Sequence, residues 1–250
     1  MTEVRVIVER RLTMLMLALA MAGPVSAAAQ AQPPYSVSVT SEGTPFMTLT
    51  ARDAKLSDVA AEVEKRLKAK VIVAPSLKDA RVTVQIAGTP IEAAMLALAP
   101  RVFVDYELRR DAQPVAVGIY LLGLEDPEPA VSAVVQGNSQ GLMVSGNTED
   151  TGEPPKDAPL RITYARGRLS VFAKEQPMIA VVMAIADEIG VPAEIKYPSR
   201  EVISTDIKES PMIDDVLFGL SDAVRVYVRA DANRLEKRLL RVVVVGPSAK

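Results

Sequence analysis

The residues of this chain that could do chemistry are mainly carboxylates, because its 250 residues include no histidine and no cysteine. That composition excludes Ser-His-Asp and Cys-His catalytic groups, thiolate metal sites and the usual proton shuttle at neutral pH. The pairs Asp214-Asp215 and Asp187-Glu188 could act as general acid and base. However, the first pair falls in the first turn of a predicted helix, where negative charge stabilises the helix dipole. The second pair lies at the end of an amphipathic helix. We therefore expect both pairs to have structural roles, and we predict that the protein is not an enzyme.

Metal, phosphate and nucleic-acid sites find little support in the other motifs. Glu149, Asp150 and Glu153 lack the spacing of a calcium loop. The glycines of GNSQG, residues 137–141, are not followed by the Lys-Ser or Lys-Thr of a phosphate-binding loop. A net charge of −2, four phenylalanines and no tryptophan leave no basic or stacking surface for nucleic acid. We predict no cofactor and no metal.

The densest basic cluster is Arg234–Arg241, with the sequence RLEKRLLR. One interpretation is that this cluster is a charged turn and edge strand that discourages aggregation. Contact with an acidic partner protein is the other. Tyr106 and Tyr227 occupy matching places in two similar segments, which favours core or half-buried aromatics over a ligand platform.

The N-terminus has the three parts of an export signal. Arg5, Arg10 and Arg11 form a basic start, Leu12–Ala22 an apolar stretch, and small residues end at Ala29. The apolar stretch is about half of the ~20 residues that a membrane span needs, which disfavours an anchor. We predict a signal peptide over residues 1–29, cleavage near Ala29, a periplasmic location and no stable membrane insertion afterwards. Removing it takes away three basic and two acidic residues, so the net charge becomes −3.

Two stretches of the chain share one apolar pattern, which indicates an internal repeat. Their first helices carry stripes at helical spacing: Leu56, Val59, Ala60, Val63 and Leu67, then Met178, Val181, Val182, Ile185 and Ile189. Short apolar segments predict strands before and after these helices: Met47–Thr50, Val71–Val73, Leu169–Ala173 and Ala193–Ile195.

The second part of each repeat begins with an alternating strand, residues 81–86 or 202–207. One residue is missing from the second copy in the preceding turn. Thr89-Pro90 and Ser210-Pro211 then predict helix starts, with the hydroxyl as cap and proline at the first helical position. The predicted buried stripes of these helices are Ile91, Met95, Leu96 and Ala99, then Met212, Val216, Leu217 and Leu220. Strands with the tyrosines and final strands follow: Val102–Leu108, Val115–Leu122, Val224–Arg229 and Leu239–Val245.

The pattern predicts an α+β protein of two tandem βαββαββ units, each with two helices on small sheets and its own core. We place a flexible leader at 30–45, where Tyr35–Val39 could add a strand, and domains at 46–123 and 161–250. Residues 124–160 are rich in proline and glycine and predict a linker that permits independent motion. Its middle, around Asn138 and Gly141, could close as a hairpin.

Each unit resembles the short N-terminal domain shared by secretins and TonB-dependent outer-membrane receptors. In the first unit TPIEAAMLAL and VDYEL stand where that family has its second helix and following strand. The similarity spans about residues 46–123 and 167–246 and lies in pattern more than identity. It implies a docking module of the cell envelope, but no pore, plug or barrel sequence is present within the 250 residues. The similarity therefore implies an accessory or adaptor of a secretion, pilus or receptor system.

Two alternatives remain: a periplasmic signalling module that contacts an inner-membrane anti-sigma-type regulator, and a carboxylate-dependent envelope hydrolase. The expected partner is an envelope protein: a secretin, a TonB-dependent receptor or a regulator. Open sheet edges can accept a partner strand, and the final strand of each unit is the predicted edge. The predicted partner-binding residues are Val115, Val117, Ile119, Arg238, Leu239, Arg241 and Val243.

Overall fold

The structure, a computed structural model, describes residues 34–40, 46–130, 142–144 and 158–246. The described residues belong to one compact unit. The predicted signal peptide and the linker residues Asn138 and Gly141 lie outside the described residues. We refer to residues 34–123 as the first half and to 158–246 as the second half.

The first half begins with a strand inside the predicted leader, at the place where Tyr35–Val39 alternates. Its strands and helices are β1 (Tyr35–Thr40), β2 (Phe46–Lys55), α1 (Leu56–Leu67), β3 (Lys70–Val73), β4 (Arg81–Pro90), α2 (Ile91–Leu96), β5 (Arg101–Leu108) and β6 (Val115–Leu122). A 3-10 turn at Pro75–Leu77 separates β3 from β4.

The second half and the strand before it contain nine elements. They are β7 (Leu142–Val144), β8 (Leu160–Ala165), β9 (Arg168–Pro177), α3 (Met178–Ile189), β10 (Ala193–Ile195), β11 (Val202–Ser210), α4 (Ile213–Leu220), β12 (Val224–Asp231) and β13 (Glu236–Val244). Strands and helices together confirm the predicted α+β class.

The described strands form three sheets. One has the order β1-β2-β4, another β11-β9-β8, and the large sheet the order β3-β6-β5-β12-β13-β10-β7. The two halves meet in the large sheet, where β5 and β12 run antiparallel from Val226↔Leu108 to Asp231↔Phe103. This contact joins the halves edge to edge.

The first helix of each half buries the apolar stripe that its spacing predicts. Leu56, Val59, Ala60 and Val63 are buried on α1, and Met178, Val181, Val182 and Ile185 on α3. Both helices end at a residue with positive φ, Lys68 at 55° and Gly190 at 78°. A left-handed residue at this place ends a helix by satisfying its last carbonyls.

One apolar core extends through both halves, and the predicted two separate cores are wrong. A single cluster of buried side chains includes Leu49, Val104 and Ile119 from the first half and Val226 and Val244 from the second. The physical reason is the β5–β12 pair, which places the apolar faces of the two halves side by side on one sheet.

The second helix of each half begins later than its Thr-Pro or Ser-Pro pair predicts. Thr89 and Pro90 end strand β4, and α2 begins at Ile91 without a side-chain cap. Ser210 ends β11, and α4 begins at Ile213. Met212 was expected in the buried stripe but is 54% exposed. It is the extra residue that restores the spacing lost in the preceding turn, and the other predicted stripe residues, Val216, Leu217 and Leu220, are buried.

The predicted linker is partly ordered, contrary to the expected free motion at its first residues. The segment from Gly123 to Ala130, here called the strap, is held by hydrogen bonds described below. Strand β7 pairs antiparallel with β10 and so belongs to the large sheet. The hairpin predicted around Asn138 and Gly141 lies outside the described residues.

Candidate binding surfaces

The predicted edge strands β6 and β13 are interior strands over their second parts. Gly118–Leu121 pairs with β3 while β6 also pairs with β5. Val242–Val244 pairs with β10 while β13 also pairs with β12. The edge prediction is wrong there. Each final strand was expected to pair only with the strand before it, but a parallel strand from earlier in the same half, β3 or β10, pairs with its other side.

The predicted partner-binding residues are divided by burial. Ile119, Arg241 and Val243 are buried, and Val117 and Leu239 are half-buried. Only Val115, at 45% exposure, and Arg238 are exposed. A partner could therefore touch the ends of this set but not its centre. Binding by Val115 and Arg238 stays a prediction.

The face of the large sheet opposite the helices carries a buried ion pair between the two halves. Arg229 of β12 donates from Nε to Oδ1 of Asp105 at 2.7 Å and from Nη2 to Oδ2 at 2.9 Å. The two residues are 2% and 1% exposed. Tyr120 of β6 donates its hydroxyl to the same carboxylate at 3.1 Å, and its ring lies 4.8 Å from the guanidinium carbon. This cluster fixes the seam between the halves.

The strap crosses this face and binds the same arginine. Arg229 donates to the carbonyl oxygen of Pro129, and its Nη1 lies 3.8 Å from Glu128 Oε1. Arg238 donates to Glu128 at 2.6 Å. At the start of the strap, Asp126 accepts from the amide of Gly123 at 2.6 Å. The exposed Arg238 is thus already used within the molecule.

A second polar chain extends along the same face toward β10. Tyr227 donates its hydroxyl to Glu107 Oε2 at 2.8 Å, and Arg241 lies 4.2 Å above the Tyr227 ring. Arg241 then donates to Glu194 of β10 at 2.9 Å. Tyr106 lies on the opposite face and donates to Glu92 of α2 at 2.7 Å. The two tyrosines therefore do not occupy matching places, because one faces the helices and the other faces away.

Burial changes the proton affinities of these aromatic and ionic groups. Burial and the hydrogen bond to Glu92 raise the pKa of Tyr106 well above its ordinary value. Burial and the negative charge of Asp105 do the same for the pKa of Tyr120. Burial and the bond to Glu107 raise the pKa of Tyr227 to about 12. Burial opposes the charge of Arg229, but its bonds to Asp105 outweigh this and raise its pKa.

The carboxylates considered for catalysis occupy structural positions. Asp214 and Asp215 lie in the first turn of α4, as predicted. Glu188 accepts a hydrogen bond from the amide of Tyr164 at 3.1 Å. Within residues 34–40, 46–130, 142–144 and 158–246, no group of three acidic side chains is placed to hold a metal ion.

An open cleft of about 1210 Å³ lies where loops of both halves meet. Its lining includes Tyr197, Arg200 and Glu201 from the loop before β11, and Arg109 and Arg225 from β5–β6 and β12. Arg225 donates to the carbonyl oxygens of Asp222 and Val224. Because acidic and basic groups are mixed here, the cleft suits a partner with both signs of charge more than a simple anion.

Open strand edges occur in the two small sheets. Strands β4 and β11 each pair on one side only among the described strands. Strand β11 exposes Asp206 and Lys208 and begins at Val202, which is 61% exposed, beside the cleft. These edges were not predicted, because residues 81–86 and 202–207 precede the final strands and their sheet order is a tertiary property.

The Asp105–Arg229 pair was not predicted from the sequence either. Asp105 alternates with Val104 and Tyr106, and Arg229 alternates with Val228 and Ala230. Such alternation normally indicates a charged side chain in solvent. Only the pairing of residues 124 positions apart shows that these charges meet.

Comparisons with protein families, with curated proteins and with solved structures found no match to this chain. Among the helices that the structure describes, none has the length and hydropathy to cross a bilayer.

Proposed function

We propose that this protein is an exported, non-enzymatic docking module that serves as an accessory or adaptor of an outer-membrane secretion, pilus or receptor system. The observation that carries the proposal is that two ion pairs of the large sheet are buried, whereas the charged side chains of the open strand β11 are exposed. The buried ionic groups of the large sheet bind one another, Arg229 with Asp105 across the seam and Arg241 with Glu194 between β13 and β10. Strand β11 instead presents an exposed ion pair, Lys208 with Asp206 at 3.8 Å, beside an edge that no described strand covers. Buried ion pairs hold the fold, whereas exposed charges beside an open edge can meet a partner strand.

We further propose that the halves are two copies of one βαββαββ unit. Matching irregularities support this: the amide of Asp53 donates to Thr83 Oγ1 at 3.0 Å, and the amide of Glu175 to Ser204 Oγ at 2.9 Å. Asp53 and Glu175 both have positive φ, 46° and 51°. β-Bulges are retained as built features of a fold. The same bulge with the same amide-to-hydroxyl bond in both halves therefore favours duplication over two independent origins.

A second matched pair supports the same proposal. The amide of Gly88 donates to Thr48 Oγ1 at 3.2 Å, and the amide of Glu209 to Ser170 Oγ at 3.0 Å. The resemblance of each unit to the short N-terminal domain of secretins and TonB-dependent receptors remains part of the proposal. What supports it is the order of strands and helices together with the apolar pattern. Export rests on the basic, apolar and small-residue segments of residues 1–29.

We propose that the docking site consists of β11 and the adjoining cleft. Val202, Tyr197 and Met212 are large apolar residues exposed at the two ends of this strand. They can supply apolar anchors, while Asp206 and Lys208 set the charge pattern that a partner strand must match. The site replaces the predicted edges on β6 and β13.

The test is capture of envelope proteins by the purified mature chain, with identification of the captured protein. We expect a secretin, a TonB-dependent receptor or one of their assembly proteins. A double variant, D206K with K208E, reverses both charges but keeps their ion pair and the net charge, so it should fold and lose capture. Gln85→Lys on β4 is the control and should retain capture.

Equal capture by wild type and the charge-swapped variant would exclude β11 as the site. Capture of an inner-membrane regulator alone would favour the signalling alternative over the adaptor. Failure to retain any envelope protein would refute the docking proposal.

A further inference from the structure

Strand β4 has an open edge without charge, unlike its counterpart in the other small sheet. From Val82 to Pro90 the strand contains no charged residue. Strand β11 carries Asp206, Lys208 and Glu209 over a similar length. Exposed edges in soluble proteins are normally protected by charged side chains, proline within the strand or a covering element. The neutral edge of β4 therefore requires an explanation of its own.

The central part of β4 is regular enough to pair with another strand. Its register with β2 is unbroken from Leu49↔Ile86 to Ala51↔Val84, and irregularities lie on either side of this stretch. Ion pairing of Arg81 with Asp53 closes one end. The described residues continue past both ends of β4, into the turn after the 3-10 segment and into α2. No described strand covers the outer side.

The edge also leaves apolar surface incompletely buried. Val82, Val84 and Ile86 face the core but are only half-buried. Gln85 lies between them on the exposed face. A strand laid along β4 with β-branched side chains on the core face would cover these three residues.

We propose that this strand is β4 of a second copy of the chain. In an antiparallel pair centred on Gln85, Val84 of each copy lies opposite Ile86 of the other, and Thr83 lies opposite Ala87. No like charges meet in that arrangement. The same symmetric pairing of β11 about Asp206 would set two carboxylates against each other, which destabilises a strand pair. In this register charge therefore allows self-pairing at β4 and opposes the equivalent pairing of β11.

The molecule already joins two sheets in this manner. Strands β5 and β12 meet antiparallel, with Tyr106 opposite Val228 at the centre of the contact. A β4–β4 pair would extend the small sheet from three strands to six across a two-fold axis, which is the commonest symmetry of protein dimers. The proposal is independent of the docking function at β11.

A cysteine scan tests the pairing directly, because the chain contains no cysteine. Residues directly opposite in an antiparallel pair have Cβ atoms about 4.5–5.5 Å apart, near the range of a disulfide. Gln85→Cys should form a covalent dimer under mild oxidation, whereas Asp206→Cys on β11 should not. Equal cross-linking of the two variants, or none at Gln85→Cys, would overturn the proposal.

Sedimentation of the mature chain provides the second measurement. Wild type should show a concentration-dependent dimer, and Gln85→Lys should weaken association by roughly tenfold or more because two lysines then face each other. Asp206→Lys is the matched control and should leave the dimer unchanged. A wild type that stays monomeric at every accessible concentration, or equal behaviour of the two lysine variants, would contradict pairing at β4.

Discussion

Replacing Arg229 by alanine should destabilise the whole molecule, because the substitution leaves a buried carboxylate without its cation. Asp105 accepts two hydrogen bonds from Arg229, at 2.7 and 2.9 Å, and both side chains are almost fully buried. Breaking such a pair from one side costs about 3–5 kcal/mol. Tyr120 still donates to Asp105, which places the expected loss near the lower end of that range. A typical domain has only ~5–15 kcal/mol of stability, so this loss is large.

Equilibrium unfolding in urea, followed by circular dichroism, measures this change. Since both halves share one core, a single transition is expected in wild type and variant. The variant should unfold at lower urea with a similar dependence on urea concentration. Salt should alter the difference little, because buried pairs are screened weakly.

A double variant separates the pair itself from the cost of leaving a charge unpaired. Asp105→Val with Arg229→Met removes both charges, and it should be less destabilised than Arg229→Ala alone. Arg81→Ala breaks the exposed pair with Asp53 and should have little effect. A loss below about 1 kcal/mol for Arg229→Ala, the size typical of an exposed pair, would refute the assignment of the seam to this pair.

Two further predictions concern a proton and a helix end. Tyr227 has its pKa raised from 10.0 to about 12, so its stabilising contribution is complete below pH 10 and is lost as the pH rises through 12. Tyr227→Phe should flatten the fall in stability over that interval and remove one late step in the absorbance titration of phenolate; an unchanged titration would contradict the burial of this hydroxyl. Lys68→Gly should stabilise the end of α1 by about 1 kcal/mol, and Gly190→Ala should destabilise the end of α3 by a similar amount, because a side chain is strained at positive φ. Thermal unfolding of the two variants checks the opposite signs, and shifts in the same direction would contradict this reasoning.

Local structure was largely predictable from the residues. The stripes of α1 and α3 lie at helical spacing, and Val71–Val73 and Ala193–Ile195 are the short apolar strands that follow them. These features depend on neighbours a few positions away. The start of α4 was wrong by two positions, because the Ser210-Pro211 pair is a helix signal that the β11 ladder overrides.

The type of binding surface was predictable from the sequence, but its location was not. An open strand edge was expected, but the edges assigned to Val115–Leu122 and Leu239–Val245 are largely occupied by β3 and β10. Parallel pairing with an earlier strand requires a crossover, and sequence order does not show which side of a strand the crossover fills.

By itself, the sequence determined the class of structure, the apolar faces of its helices and the lack of histidine and cysteine chemistry, because these depend on residue type and local spacing. Only the tertiary structure decided that the halves share one core and which strands remain open. The shared core follows from the pairing of β5 with β12 and from the Asp105–Arg229 contact across it, and the open edges of β4 and β11 follow from the strand order of the two small sheets. Contacts between residues more than a hundred positions apart leave no periodic signal in either segment, so they can be seen only in the folded structure.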